Sequence, residues 1–312
     1  MENDENTAGV ISDFKSEIEK FKNLANEPLP NSPPADSPLS NYESALSFFN
    51  RGDENAAIQK LKMLLGSTNA TSSLKKEIHT TLGYIYLDQI RPKEALEEFS
   101  FIEKENEFKE RALFGIAMGL MQQEEYVKTI AIFDELVTEF PNGEYTPEGH
   151  SKMGYCYSKL LSFKNAVESY QKALQLYNKQ LLAEKNLLQL SDRSILFQKN
   201  FIFSNPQPEW NLFFGRIKSD REGQMVLHES ESFFNLEDRL NHNPAYRQSS
   251  PQYQQSLIET RTQIQDVFRK FIRAKIIEKK RLSQISSTEV ALELARNMVL
   301  EQSLPGQNNS NR

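Results

Sequence analysis

The side chains best suited to chemistry in this chain are its four histidines, its one cysteine and its paired carboxylates. His79, His150, His228 and His242 never fall in HExxH or another compact ligand spacing, so no metal-ligating residue is expected. Cys156 sits in MGYCYSKL, an ordinary inner-helix pattern with no adjacent base to activate a thiolate, and reads as a packed thiol. A lone cysteine also excludes an intrachain disulfide and every multi-cysteine zinc or iron–sulfur arrangement. The pairs Glu97/Glu98 and Glu124/Glu125 diverge on a helix and read as solvated faces, not as an acid and a base. The 12 glycines are dispersed, with neither a Walker loop nor a GxGxxG turn to cradle phosphate. No catalytic, metal or cofactor-binding residue is therefore expected, and the chain reads as a non-enzyme with no cofactor.

Charge offers a second kind of site. Arg269, Lys270, Arg273, Lys275, Lys279, Lys280 and Arg281 are opposed locally only by Glu278. Such a patch can meet a nucleic acid, an anionic membrane or an acidic partner. The whole chain carries 37 Lys plus Arg against 43 Asp plus Glu, a net charge of -6, which speaks against general attraction to phosphates. Phe268, Phe271, Ile272, Ile276 and Ile277 interleave with the cations, so the favoured reading is the wet side of a helix that buries its other side. Peripheral nucleic-acid or anionic-membrane binding through 269–281 is the alternative, with nucleic acid the less expected partner.

The elements that must carry these residues are helical. Ile11, Phe14, Ile18, Phe21 and Ala25 recur at helical spacing, predicting an amphipathic helix within residues 1–27 that needs somewhere to dock. Residues 28–38 hold five of the 13 prolines and predict a linker. From residue 39 the chain repeats itself. Leu82, Gly83, Tyr86, Ala95, Phe99 and Ile102 have counterparts in Ile116, Ala117, Leu120, Thr129, Phe133 and Leu136, then in Met153, Gly154, Tyr157, Ala166, Tyr170 and Ala173. The first displacement, Phe99 to Phe133, is 34 residues; the second is 37, the extra residues fitting in the turn FPNGEYTP. Ala45, Phe48, Gly52, Ala57, Leu61 and Leu64 form a more degenerate first unit.

This pattern resembles the tetratricopeptide repeat family over residues 39–180. The resemblance implies an all-α fold: an α-solenoid of about four helix pairs, with additional C-terminal helices beyond it. Small residues at Gly83, Ala117 and Gly154 would let the second helix of each pair approach, with Phe99 and Tyr170 filling the space between. Thr129 stands where Ala is usual, and Ile90, Glu124 and Leu161 stand where Gly often sits. The family's first helices line a concave groove, which transfers partner-binding positions to Phe49, Tyr84, Asp88, Phe114, Met118, Met121, Tyr155 and Lys159. The same transfer places Tyr42, Leu46, Thr80, Ser151 and Ser158 along the groove as well. The cations and amides of a peptide-carboxylate clamp are largely missing, so an apolar peptide or helix is the expected ligand. Some of these aromatics equally fit inter-repeat core.

Beyond the array, residues 181–205 are expected to cap it, and 206–302 to form a helical C-terminal region before a flexible tail at 303–312. Leu257, Ile264, Phe271, Ile285, Leu292 and Val299 recur every seven residues, broken once at Glu278. Thr260, Arg281 and Thr288 spoil the second seam position, so packing on helices from 181–240 is preferred to a homodimer through 257–299. Ser286 and Glu289 have capping-box spacing and predict a break near 283–287. No stretch approaches the roughly 20 apolar residues of a membrane span. The acidic opening lacks the features of a secretory signal, so a cytoplasmic location is expected, or the periplasm or cell envelope had a signal been removed. In sum the sequence predicts a non-catalytic adaptor or scaffold whose protein partner it does not identify.

Overall fold

The computed structural model describes residues 37–102, 108–190, 221–242 and 251–303, together with Ser16, residues 18–20, Phe213 and Ile217. The described residues contain helices and no strand. Eight helices form four antiparallel pairs in chain order: α1 (Pro38–Asn50) with α2 (Glu54–Leu65), α3 (Ser72–Asp88) with α4 (Pro92–Ser100), α5 (Lys109–Gln122) with α6 (Tyr126–Glu139), and α7 (Thr146–Lys159) with α8 (Phe163–Leu190). Two more follow, α9 (Arg221–His242) and α10 (Pro251–Ser303).

Local chemistry starts and stops these helices. Ser37, Asp53 and Thr71 cap α1, α2 and α3, accepting from the amides of Ser40, Ala56 and Leu74 at 3.1, 3.1 and 3.2 Å. Pro92 opens α4 at a position where its missing amide has no intrahelical bond to lose. Each hairpin within a pair reverses through one left-handed residue: Gly52, Ile90, Glu124 and Leu161, with φ of 83°, 56°, 59° and 57°. The amide after it then returns to a carbonyl five residues back: Asp53 to Phe48, Arg91 to Tyr86, Glu125 to Leu120, Ser162 to Tyr157, at 2.8–3.0 Å. This is the Schellman termination, repeated four times.

The pairs repeat one contact, an aromatic ring set against a small residue. A β-carbon added to Gly83 would stand 2.6 Å from the Phe99 ring, and one on Gly154 would stand 2.9 Å from Tyr170, so α4 and α8 each close onto a glycine. Ala95, Ala117 and Ala166 are fully buried. Thr129 is tolerated at the equivalent small position because its hydroxyl donates to its own helix, to the Glu125 carbonyl at 3.1 Å. Phe99 also serves the next pair: a β-carbon on Gly115 would lie 2.2 Å from its ring. One aromatic thus locks two pairs together, a contact for which the repeat pattern offers no marker.

The chain divides into two compact units. The described residues from 37 to 176 and from Ser287 onward form the repeat unit. Within it the end of α10 meets the fourth pair, where Ser158 Oγ lies 2.6 Å from Asn297 Oδ1 and Asn297 is buried. The second unit holds the described residues of 16–20 and 177–286. Its core contains Ile18, Leu187, Val226, Phe233, Ile264 and Phe271. Buried Ser283 donates to Glu184 at 2.8 Å, and Arg261 pairs with Glu237 at 2.9 Å. Burial pushes the Glu237 carboxyl up, against the pull of Arg261.

Several expectations change here. Ile18 is core of the second unit, so the N-terminal segment docks there at that residue; Phe14 and Phe21 lie outside the described residues. Residues 191–205 of the expected cap lie outside them too, while Leu187 packs in the second unit. No break occurs near 283–287: α10 runs unbroken from Pro251 to Ser303. Ser286 sits mid-helix, and cap spacing without a chain reversal does not end a helix. The heptad seam also divides. Leu257, Ile264 and Phe271 are buried within their own chain and cannot form a homodimer seam, whereas Ile285, Leu292 and Val299 are exposed.

Candidate protein-binding site

The first helices of the pairs, α1, α3, α5 and α7, are joined by a chain of polar contacts. The Tyr42 hydroxyl donates to Glu77 at 3.2 Å and lies 2.9 Å from the Thr81 hydroxyl. Glu77 pairs with Arg111 at 3.3 Å. Tyr84 donates to the Arg111 carbonyl at 2.8 Å, and Gln122 donates to the Leu87 carbonyl at 2.9 Å. The Tyr145 amide reaches Glu110 at 2.9 Å, and the Tyr145 ring packs 4.7 Å from Phe114. Neighbouring first helices therefore share one continuous layer.

Burial sets the electrostatics of that layer. It pushes the Tyr145 phenol up to about 12, and it raises Tyr84 and Tyr42, the latter helped by Glu77. For Arg111 burial acts downward, but its negative neighbours, Glu77 first, outweigh it and hold the guanidinium above its usual range. These groups keep one protonation state near neutrality. They hold the helices in register.

The eight partner-binding positions separate into two groups. Phe114 is buried against Phe133 and Tyr145, so it is core and offers no groove surface. Tyr84 packs against both neighbouring cores with its hydroxyl engaged, and Phe49 packs against the core of the first two pairs. Half-buried Met118 also touches both cores. The remaining four face outward to a greater degree. Met121 is half-buried, and Asp88 and Lys159 are exposed. Tyr155 is 40% exposed, its ring edge-on to Tyr126 at 6.3 Å and under the Lys159 ammonium at 5.2 Å. Burial, then Glu54, raises the Asp88 carboxyl.

Glu77, Arg111 and Tyr145 were not marked as site residues by sequence reasoning. A signal existed, since Glu77 and Arg111 stand 34 residues apart at the same place in consecutive repeats with opposite charge. The Ser158 contact with Asn297, 139 residues away, had none.

The basic residues do not form one free face. Arg269 is paired with Asp266, and Lys275, largely buried, pairs with Glu278 at 3.5 Å and lies 6.0 Å from the Phe271 ring centroid. Arg273, Lys279 and Lys280 are half-buried; Lys270 and Arg281 are exposed. Phe268, Phe271, Ile272 and Ile276 are core, and Ile277 is half-buried.

His79 lies 2.7 Å from Glu98 and stacks on Phe101 at 4.4 Å, tying α3 to the α4 end. Burial, then Lys172, lowers the His150 ring and favours its neutral form. Burial pushes the Cys156 thiol up to about 12. Among the described residues no group of three or more His, Cys, Asp or Glu could hold a metal ion, and no helix is long and apolar enough to cross a membrane.

No family model matches the sequence, and no curated protein matches it. Solved structures do. The apo form of RapI is 15% identical with a TM-score of 0.42, over 84% of this chain and 98% of that one. MamA from Desulfovibrio magneticus RS-1, from its residue 41 to the end, is 14% identical with a TM-score of 0.40, over 65% and 97%. A tetratricopeptide repeat protein from Parabacteroides merdae ATCC 43184 is 19% identical with a TM-score of 0.39, over 84% and 99%. The repeat type is read from this chain's own residues, from Phe99 over Gly83 and Tyr170 over Gly154.

Proposed function

We propose that this tetratricopeptide-type repeat chain is a non-catalytic scaffold that takes an apolar peptide or helix along the layer of its first helices. The observation that carries the reading is the continuity of that layer: Tyr42, Glu77, Arg111 and Glu110 join neighbouring first helices side by side, while Met121, Tyr155 and Lys159 retain surface. Thioether and aromatic surface suits an apolar segment whose shape is not fixed in advance. Exposed Asp88 and Lys159 add charges of opposite sign that orient a bound segment. Phe114 and Tyr84 act beneath, as core that sets helix spacing.

A peptide library displayed on phage and selected on the full chain tests this. Selected peptides are expected to be rich in Leu, Ile, Phe or Met at helical or alternating spacing. Met121→Ala with Tyr155→Ala should lower their affinity by about ten-fold, the scale of one or two modest interface anchors, with helicity and melting unchanged. Peptides that bind both forms equally would refute the site. Binding controlled by salt and by Lys270 and Arg281 alone would favour the basic patch on α10.

A further inference from the structure

The C-terminal end of α10 has a buried side and an apolar exposed side. Val290 and Asn297, seven residues apart, are buried, and Asn297 meets Ser158. On the opposite side Leu292 and Val299 are each 67% exposed and Met298 is 41% exposed. Thr288, Glu289, Ala291, Ala295 and Arg296 are exposed with them. Leu292 and Val299 stand at the first seam position of a heptad, one and two repeats after exposed Ile285, and Thr288 and Ala295 stand at the second. Val290 and Asn297 occupy the position diametrically opposite that seam, so packing within the chain and the heptad stripe use different sides of one helix.

Charge identifies the occupant and its direction. In two antiparallel helices each first-position residue layers with a second-position residue, and the same flanking position meets itself across the seam. Two copies related by a two-fold axis near residue 293 would layer Leu292 on Ala295 of the other copy and Val299 on Thr288. Ala291 would lie beside Met298, and Glu289 would face Arg296, the ion pair formed twice by symmetry. A parallel pair would set Ala291 against Arg296 and Gln284 against Glu289, forming no ion pair. Arg296 pairs with Glu293 of its own helix at 3.7 Å, both side chains exposed to solvent.

We propose that residues 288–299 are a self-association seam, through which two copies of this chain pair antiparallel. The seam spans under two heptads, so the dimer forms and dissociates with concentration. Each site is complete only with the second copy, which supplies Arg296 to Glu289 and Ala295 to Leu292.

Sedimentation velocity of the full chain, over an about hundred-fold range of concentration, should show monomer passing into dimer. Leu292→Glu with Val299→Glu should remain monomeric throughout, with unchanged circular dichroism and melting because both positions are exposed. Glu289→Arg should weaken association about ten-fold by replacing two attractive pairs with two repulsive ones. Adding Arg296→Glu to it should restore association. A wild type that stays monomeric at every concentration overturns the proposal. So does a dimer indifferent to Leu292→Glu with Val299→Glu, or a charge swap that fails to restore pairing.

Discussion

Ile90 closes the turn between α3 and α4 at φ 56°, a conformation that β-branched side chains avoid. Its side chain is 77% exposed, so little burial offsets the strain. The left-handed conformation costs an L-residue about 1–2 kcal/mol. Glycine adopts it freely but loses about 0.5–1 kcal/mol more chain entropy on folding. Ile90→Gly should therefore stabilise the repeat unit by about 1 kcal/mol, raising its melting temperature by about 2–4 °C for a body of this size. The backbone bonds of the turn, from Ile90 to Leu87 and from Arg91 to Tyr86, do not involve the side chain and should persist. Differential scanning calorimetry of wild type, Ile90→Gly and Ile90→Val provides the comparison, since Val keeps the branched β-carbon and should bring no gain. Leu161→Gly, at φ 57° and 71% exposed, should behave like Ile90→Gly. If Ile90→Gly lowers the melting temperature as glycine does inside a helix, the turn is not left-handed and the reasoning fails.

Gly115→Ala should destabilise by about 1–3 kcal/mol, because its methyl would overlap the buried Phe99 ring. Phe99→Leu in the same chain should recover part of that loss, and a urea double-mutant cycle measures the coupling. Cys156, its thiol near 12, should react with a disulfide reagent at pH 8 at least about a hundred-fold more slowly in the folded chain than in denaturant. Cys156, Tyr145 and Tyr170 share the sign of a raised acid: their stabilisation is complete below the unfolded values of about 8.5 and 10 and is lost as pH climbs toward about 12. Denaturant midpoints measured from pH 7 upward should therefore fall on the alkaline side, and phenolate absorbance from these tyrosines should appear only with unfolding.

Sequence by itself determined the repeat. Its signal lies in contacts within one helix pair, where Phe99 must find Gly83 and Tyr170 must find Gly154, and these partners are separated by a fixed 16 residues in both cases. The turns were legible for the same reason, since a Schellman termination is local and Ile90, Glu124 and Leu161 fall where glycine is usual. On the first helices the sequence leaves the role of each aromatic open: at helical spacing it looks the same whether a neighbouring pair covers it, as with Phe114, or leaves it exposed, as with Tyr155. That choice depends on what packs against the helix from outside its own repeat. The long α10 shows the same division. Its sevens mark a seam along the whole helix, yet only tertiary structure covers Leu257, Ile264 and Phe271 with residues such as Phe233 and leaves Leu292 and Val299 to water. Periodicity records which side chains share a face; burial is decided by the surfaces that the rest of the chain brings to that face, and those, like the contact between Ser158 and Asn297, come from far away in sequence.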